Sequence, residues 1–450
     1  MRADKYDVLI LGGGNAGMSV TVSTRAAGLS VAIAESRDLG GTCPNRGCTP
    51  KKVLVAAGHA LHEIERAPVH GISISKPQLD WAALIDREKR MISHIPGALG
   101  RLIADRGVEI IRGEAAFAGP NEVWVGDRAI EARHIVIATG STPRTLPIPG
   151  ADFMVTSDDI LNERELPREV VFIGGGVIAL ELGHVYARAG AKVTILEALP
   201  QLLPAMDADA VAQIRTASER IGIDVKTGVT VKHIQPRRGR FQVIFVLQGT
   251  ELHIEADRVV NGAGRVANVN HLNLDAGHVR HRGERIETDD YLRSLSNPAV
   301  HLCGDVLSTS QQLSPIATYE GRIVGRNIVE GQVAKPDYSN IPSCVYSVPA
   351  LASVGLTEAK ARELGHAIKV HSNDMGDWLS ARTYNEPTAW AKVIVDEVTD
   401  RIRGAHIVGH AGEELIHVFA FAMRFGITAS QIRDTVYAFP TFSADIKSML

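Results

Sequence analysis

The sequence predicts an α/β protein: two Rossmann-like, parallel-sheet domains followed by an α+β C-terminal domain. Three observations carry that prediction. A glycine-rich turn, "GGGNAG", follows the apolar run Val8 to Leu11; a second, "GGGVIALELG", follows the apolar "VVFI"; and the last part of the chain passes from strand-like runs into one apolar helix.

In the first turn Gly12, Gly14 and Gly17 fit G-x-G-x-x-G where a strand passes into a helix. Gly12 allows the tight turn, Gly14 the close approach of a pyrophosphate, and Gly17 the packing of helix on strand, while the helix N-terminus offers free N–H groups to phosphate. The next strand, "SVAIAES", ends at Glu35, where a carboxylate accepts the hydroxyls of an adenosine ribose. A dinucleotide site is expected.

The arrangement recurs. Gly174, Gly176 and Ala179 follow the second strand, and "KVTILEA" ends at Glu197. Glu35 and Glu197 each come 23 residues after the first glycine of their turn, Gly12 and Gly174. Two dinucleotides in one chain are most simply a tightly held flavin, FAD, and an exchangeable nicotinamide, the layout for passing a hydride between them. At the second site Glu197 repels a 2′-phosphate, and Ala198 to Met206 offers no arginine or lysine to receive one, so NADH is expected over NADPH.

After a proline-containing link at "KPDYSNIPSC" come strands such as "WAKVIVDE" and the apolar helix "ELIHVFAFAMRFG". His410, Glu414 and His417 stand at i, i+4 and i+7, a spacing able to bind a metal but read as a structural helix face. The basic "QPRRGR" (Gln235 to Arg240) reads as a solvated hairpin turn. With 450 residues, 45% apolar and 22% charged, the chain is long enough for several globular domains. A formal charge of −3 gives no bulk reason to bind nucleic acid or an anionic membrane. No run approaches the ~18 apolar residues of a spanning helix, and no signal-peptide pattern precedes "VLILGGG", so a soluble, cytoplasmic protein is expected. Four cysteines are too few for a disulfide scaffold. The close pair Cys43 and Cys48 in "GGTCPNRGCTPKK" is therefore expected to be catalytic or metal-binding.

These motifs, together with "ATGSTP" (Ala138 to Pro143), "NGAGRVAN" (Asn261 to Asn268), "CGDV" (Cys303 to Val306) and "PTFS" near the C-terminus, run in an order that resembles the class I pyridine nucleotide-disulfide oxidoreductases. That family includes glutathione reductase, dihydrolipoamide dehydrogenase and mercuric reductase. The residues agree with the resemblance. A zinc site would want two further ligands, whereas Cys303 and Cys344 read as small buried residues. Cys48 falls at a helix start with Pro50 in the first turn, where unpaired amides lower a thiol's pKa.

The resemblance implies a FAD domain over 1–145 and 265–335, an inserted NAD(P) domain over 146–264, and a dimerisation domain over 336–450. A homodimer is implied, because that domain builds its neighbour's acceptor site. NADH would reduce the flavin, the flavin the Cys43–Cys48 disulfide, and the thiols a small-molecule or metal acceptor. Cys48 would face the flavin as thiolate, Cys43 would attack substrate, and Lys51 would lie near the flavin and pair with Glu181. Gly41, Thr42, Lys52, Thr139, Gly140 and Gly264 join the cofactor contacts by the same motifs, Asp305 would bind the ribityl hydroxyls, and Ser314 would open a helix facing the flavin ring. Val177 stands over the nicotinamide pocket, where an aliphatic residue resembles dihydrolipoamide dehydrogenase.

One stretch departs from the family pattern. Disulfide-reducing members read His-Pro-Thr-x-x-Glu where this chain has Phe439 and Ala444 in "YAFPTFSAD", and neither side chain moves a proton. Three explanations stay open: Tyr437 or Asp445 takes over; the acceptor needs no proton relay, as with a metal ion or quinone; or a disulfide substrate carries an acidic leaving thiol. The second is preferred. The alternative functions are a diaphorase that reduces quinones at the flavin itself and a mercuric reductase-like metal reductase.

Overall fold

The computed structural model describes residues 3–75, 77–307 and 311–450. Five helices carry the residues at issue: α1 (Asn15–Ala26), α2 (Cys48–Arg66), α3 (Val177–Ala189), α4 (Ser314–Glu330) and α5 (Gly412–Phe425). The chain divides into two compact units. One comprises 1–51, 86–144 and 264–338, the other 52–85, 145–263 and 339–450.

In the first unit the apolar run Asp4–Leu11 forms the middle of a mixed sheet whose central strands run parallel and whose strands Glu122–Val125 and Ala115–Gly119 run antiparallel, with Val8 beside Val31 and Leu9 beside Ile135. Val31–Glu35 and Glu109–Arg112 extend it on one side, and Arg128–Ile137 with Val300–Leu302 on the other. Its central strands are near-continuous β-branched and aliphatic residues because both faces are covered. Helices α1 and α4 pack backbone to backbone: a Cβ on Gly321 would lie 2.3 Å from the Ala16 carbonyl oxygen, and one on Gly325 2.6 Å from the Ser23 Cβ.

The second unit holds a four-stranded parallel sheet, ordered Asp224–Thr227, Lys192–Glu197, Glu169–Ile173, Arg258–Asn261. Beside it lies the three-stranded meander 230–256, whose first turn is the "QPRRGR" hairpin; there Arg240 binds Glu169 and Asp257 at 2.7 and 2.9 Å. A five-stranded antiparallel sheet in the order Ser343–Val345, Ala350–Gly355, Ile402–Gly409, Trp390–Asp396, Ile368–Asp374 carries α5 on one face through Leu415, Ile416 and Phe419. Residues 52–85, expected with the FAD domain, group with this unit. Val53, Leu54, Trp81 and Ile85 share a core with Phe172 and Tyr186, and the Trp81 and Tyr186 rings stack at 5.1 Å. Among the described residues no helix is long and apolar enough to cross a membrane.

Candidate functional site

At the end of the first strand Gly12 turns at φ +111°, and a Cβ there would sit 2.3 Å from the Ala138 carbonyl oxygen. A Cβ on Gly17 would meet the Gly12 carbonyl oxygen at 2.1 Å, which is why the helix starts so close to its strand. Gly14 caps α1 and lies against Gly41, whose own Cβ would come 2.8 Å from the Gly14 Cα. The segments "GGGNAG" and "GGTC" thus meet backbone to backbone. No acidic residue stands in the first turn of α1, so its free amides suit an anion.

Glu35 does more than the sequence suggested. Its Oε2 accepts the Gly13 N–H at 2.8 Å and its Oε1 the Arg37 N–H at 2.7 Å, lacing the turn while leaving lone pairs for a sugar hydroxyl. The second turn repeats the plan: Gly174 turns at φ +102°, Glu197 Oε2 accepts from Gly175 N–H at 2.5 Å, and Oε1 from Leu199 N–H at 2.8 Å. Gly13 and Gly175 were not singled out in the sequence, although both turns read Gly-Gly-Gly; a Cβ on Gly175 would lie 2.3 Å from the Leu202 Cδ2. Gly176 caps α3, Ala179 is fully buried against the sheet, and Val177 at the helix start is 43% exposed.

The remaining first-unit residues fit a polyhydroxylated, phosphorylated ligand such as FAD. Thr139 Oγ1 is buried and has no hydrogen-bond partner among the described residues. Gly140 accepts the Asn268 N–H at 2.9 Å through its carbonyl, and Gly264 accepts that of Arg144 at 3.0 Å. Asp305 accepts a hydrogen bond from the Ser141 hydroxyl at 3.2 Å, and burial raises its pKa, the condition of a carboxyl group short of donors.

Cys43 lies in the short helix Thr42–Arg46, and Cys48 is the first residue of α2. Asn45 Nδ2 donates to the carbonyls of Leu39 and Gly41, both at 2.9 Å, fixing the approach to the pair. Both cysteines are free thiols. Hydrogen bonds from Cys48 first, and from Ser314 and Asn15, pull the Cys43 thiol down to about 6 against the desolvation of its charge. The proton shared with Cys43 pushes the exposed Cys48 thiol up, with Lys51 as the opposing cation. The two thiols thus share one proton and titrate as a pair. Ser314 opens α4 with Pro315 in its first turn and accepts a hydrogen bond from Asn15.

In the second unit Glu181 is 4% exposed and accepts the Tyr346 backbone N–H at 2.8 Å through Oε1. Lys52 places its ammonium 3.9 Å from the centroid of the Tyr346 ring. Sequence reasoning put Lys52 with the cofactor contacts and did not foresee its aromatic partner, which lies far along the chain. Near the C-terminus Phe439 is 76% exposed and Ala444 is buried. The Tyr437 hydroxyl donates to the Ile432 carbonyl at 3.3 Å, and Asp445 accepts from the Ser380 hydroxyl. His410 lies before α5, stacked on Tyr384 and Phe442 at 5.4 and 4.9 Å, rather than on a helix face with Glu414 and His417.

The sequence matches the pyridine nucleotide-disulphide oxidoreductase family over residues 6–321 and that family's dimerisation domain over 341–450. It is 32% identical to a glutathione reductase of Burkholderia cepacia, covering 100% of this chain and 99% of the relative. A mercuric reductase of Bacillus cereus is 31% identical, over 98% of this chain and 70% of its own, and a dihydrolipoyl dehydrogenase of Chlorobaculum tepidum 30%, over 99% and 96%. Among solved structures, a Cu(II) complex of the HOCl-induced flavoprotein disulfide reductase RclA from Escherichia coli superposes with a TM-score of 0.88 at 28% identity, covering 99% of each chain. Matched over both domains and aligned end to end with such relatives, the chain belongs to the pyridine nucleotide-disulphide oxidoreductases, FAD-dependent enzymes that draw electrons from a pyridine nucleotide.

Proposed function

We propose that the enzyme uses NADH to reduce a soft metal ion, such as cupric or mercuric ion, at Cys43 and Cys48. The observation that carries this reading is the pair Phe439 and Ala444, one exposed, one buried, and neither able to carry a proton. General acid–base catalysis is worth roughly 10²–10⁴-fold, and a metal acceptor does without it. The names of two relatives, a mercuric reductase and a Cu(II) complex of RclA, point the same way.

FAD, when bound, supplies the two-electron relay between nicotinamide and thiols. Residues 1–145 with 265–335 would hold it: the α1 amides and Gly12, Gly14, Gly17, Gly41 and Thr42 at the pyrophosphate, Glu35 at the ribose, and Thr139, Gly140, Asp305 and Ser314 along the remainder. Residues 146–264 would hold NADH through Gly174, Gly176, Val177 and Glu197, with Gly264 following. Glu197 favours the free 2′-hydroxyl of NADH over the phosphate of NADPH. Lys51 and Glu181 would form the ion pair beside the reacting ring, and 336–450 would close a homodimer. An NADH-fed dithiol suits the cytosol, where that donor is found.

In the reducing step the Cys43 thiolate and Cys48 thiol lose two electrons and one proton and form the Cys43–Cys48 bond. Two Cu(II) ions become Cu(I), or one Hg(II) becomes elemental mercury. Anaerobic NADH and NADPH oxidation with cupric ion, mercuric ion, glutathione disulfide, lipoamide and a soluble quinone tests this in wild type, Cys43→Ser, Cys48→Ser and Tyr437→Phe. Metal-dependent turnover lost in both cysteine variants and kept in Tyr437→Phe is the expected result. Quinone reduction alone, undiminished in Cys48→Ser, would move the electron exit to the flavin. Loss of disulfide turnover in Tyr437→Phe would make Tyr437 the proton donor.

A further inference from the structure

Helix α2 begins at Cys48 and places two lysines, Lys51 and Lys52, at i+3 and i+4, the two spacings that bring a side chain back over the first turn. Lys51 acts on Cys48 electrostatically. Lys52 sits instead on the Tyr346 ring, 3.9 Å from its centroid. A cation over an aromatic face is held by the ring quadrupole, and the hold depends on the ring staying in place.

Tyr346 is unusually well fastened. Its N–H donates to Glu181 at 2.8 Å, and two residues on, the Val348 N–H reaches His184 Nδ1 at 3.3 Å while its carbonyl accepts from Arg188 Nη2 at 3.2 Å. Glu181, His184 and Arg188 recur along one side of α3, and Ser347 closes the loop by donating its hydroxyl to the Pro349 carbonyl at 2.8 Å. His59, whose charged form burial disfavours, also feels the charges of Lys52 and Glu413.

We propose that Tyr346 is a positioning residue of the redox helix: its ring holds Lys52 off the first turn of α2, so that Lys51 alone acts on the cysteines. A second cation over the first turn of α2 would add to the pull of Lys51 on Cys48 and raise its thiolate fraction. The proposal rests on the reading of Cys43 and Cys48 as the redox pair.

The test is iodoacetamide modification of the reduced holoenzyme at pH 7, with the Cys48 to Cys43 rate ratio read by peptide mass. Cys48 reacts in proportion to its thiolate fraction, so a second cation raises the ratio; a half-unit fall in pKa gives about threefold. Tyr346→Leu is expected to raise the ratio at least about threefold, Tyr346→Phe to leave it as in wild type, and Lys52→Met in the Leu background to restore it. Lys52→Met alone is expected to leave the ratio within about twofold, which keeps the proposal testable where Tyr346→Leu does not fold. An unchanged ratio in Tyr346→Leu, a rise that persists without Lys52, or a fall in Lys52→Met alone overturns it. Diamide treatment of the unmodified wild type separates the underlying reading: if no Cys43–Cys48 disulfide forms, that reading fails whatever the ratio does.

Discussion

Replacing Ser314 by alanine removes one of the donors to the Cys43 thiolate, along with the acceptor that holds Asn15 in place. A hydrogen bond to a charged group is worth about 1.5–3 kcal/mol, and one pKa unit corresponds to about 1.36 kcal/mol. The lower end of that range carries Cys43 from about 6 to roughly one unit higher. At pH 6.5 the thiolate fraction then falls from about three-quarters to about one-quarter. Thiolate absorbance across a pH titration of the reduced protein measures the midpoint, and Asn15→Leu should move it in the same direction. A midpoint unmoved in both variants would refute the idea that the starts of α1 and α4 hold this charge. The same shifts fix a stability profile. Folded Cys43 loses its proton near 6 while an unfolded thiol keeps its own to about 9, so the reduced protein gains stability as pH rises between those values. Above them the raised Cys48 reverses the trend, because the unfolded chain then loses protons the folded one retains. The oxidised protein, with neither thiol of the pair, should lack the rise, while buried Cys303, also raised, still contributes a fall above about 9.

Three further outcomes are expected. Gly174→Ala puts a Cβ 2.4 Å from the Gly262 carbonyl oxygen at φ +102°; displacement and strain of about 2–4 kcal/mol should weaken binding of the pyridine nucleotide by roughly 30- to 10³-fold. Flavin absorbance should stay at wild-type level, and equilibrium titration with NADH checks it. The double variant Phe439→His, Ala444→Glu should raise turnover of glutathione disulfide or lipoamide by about 10²-fold if the missing proton relay limits it, read as kcat against each disulfide. Lys392, 3% exposed, holds Asp207 at 3.0 Å, Asp209 at 2.5 Å and Glu358 at 3.0 Å. Lys392→Met strands buried Asp207 and should destabilise the second unit by about 3–5 kcal/mol, seen as a lower Tm.

Periodic and local features were the legible ones. The strand Asp4–Leu11, the turns at Gly12 and Gly174, the helix start at Cys48 and the apolar helix Gly412–Phe425 follow from apolar runs and glycine placement within short windows. What escaped depends on residues far apart in sequence. Nothing near Lys52 announces Tyr346, and nothing near Cys43 announces Ser314. Residues 52–85 joined the second unit because Trp81 and the aliphatic side of α2 meet the α3 core, a match of surfaces that composition does not encode. His410 left its expected helix face because the rings of Tyr384 and Phe442 close around it.

The lacing of Glu197 to Gly175 and Leu199 has a practical bearing on redesign. A carboxylate that only read the ribose could be exchanged for a cation to invite NADPH. Here the carboxylate proposed to read the ribose is also a strut: an arginine at that position would set its charge beside two amide hydrogens that need an acceptor, and the turn would open before it could bind the new phosphate. Retuning coenzyme choice in this chain therefore begins outside position 197, with a basic residue brought in from Ala198 to Met206, so that the carboxylate keeps its grip while the electrostatics around it change sign.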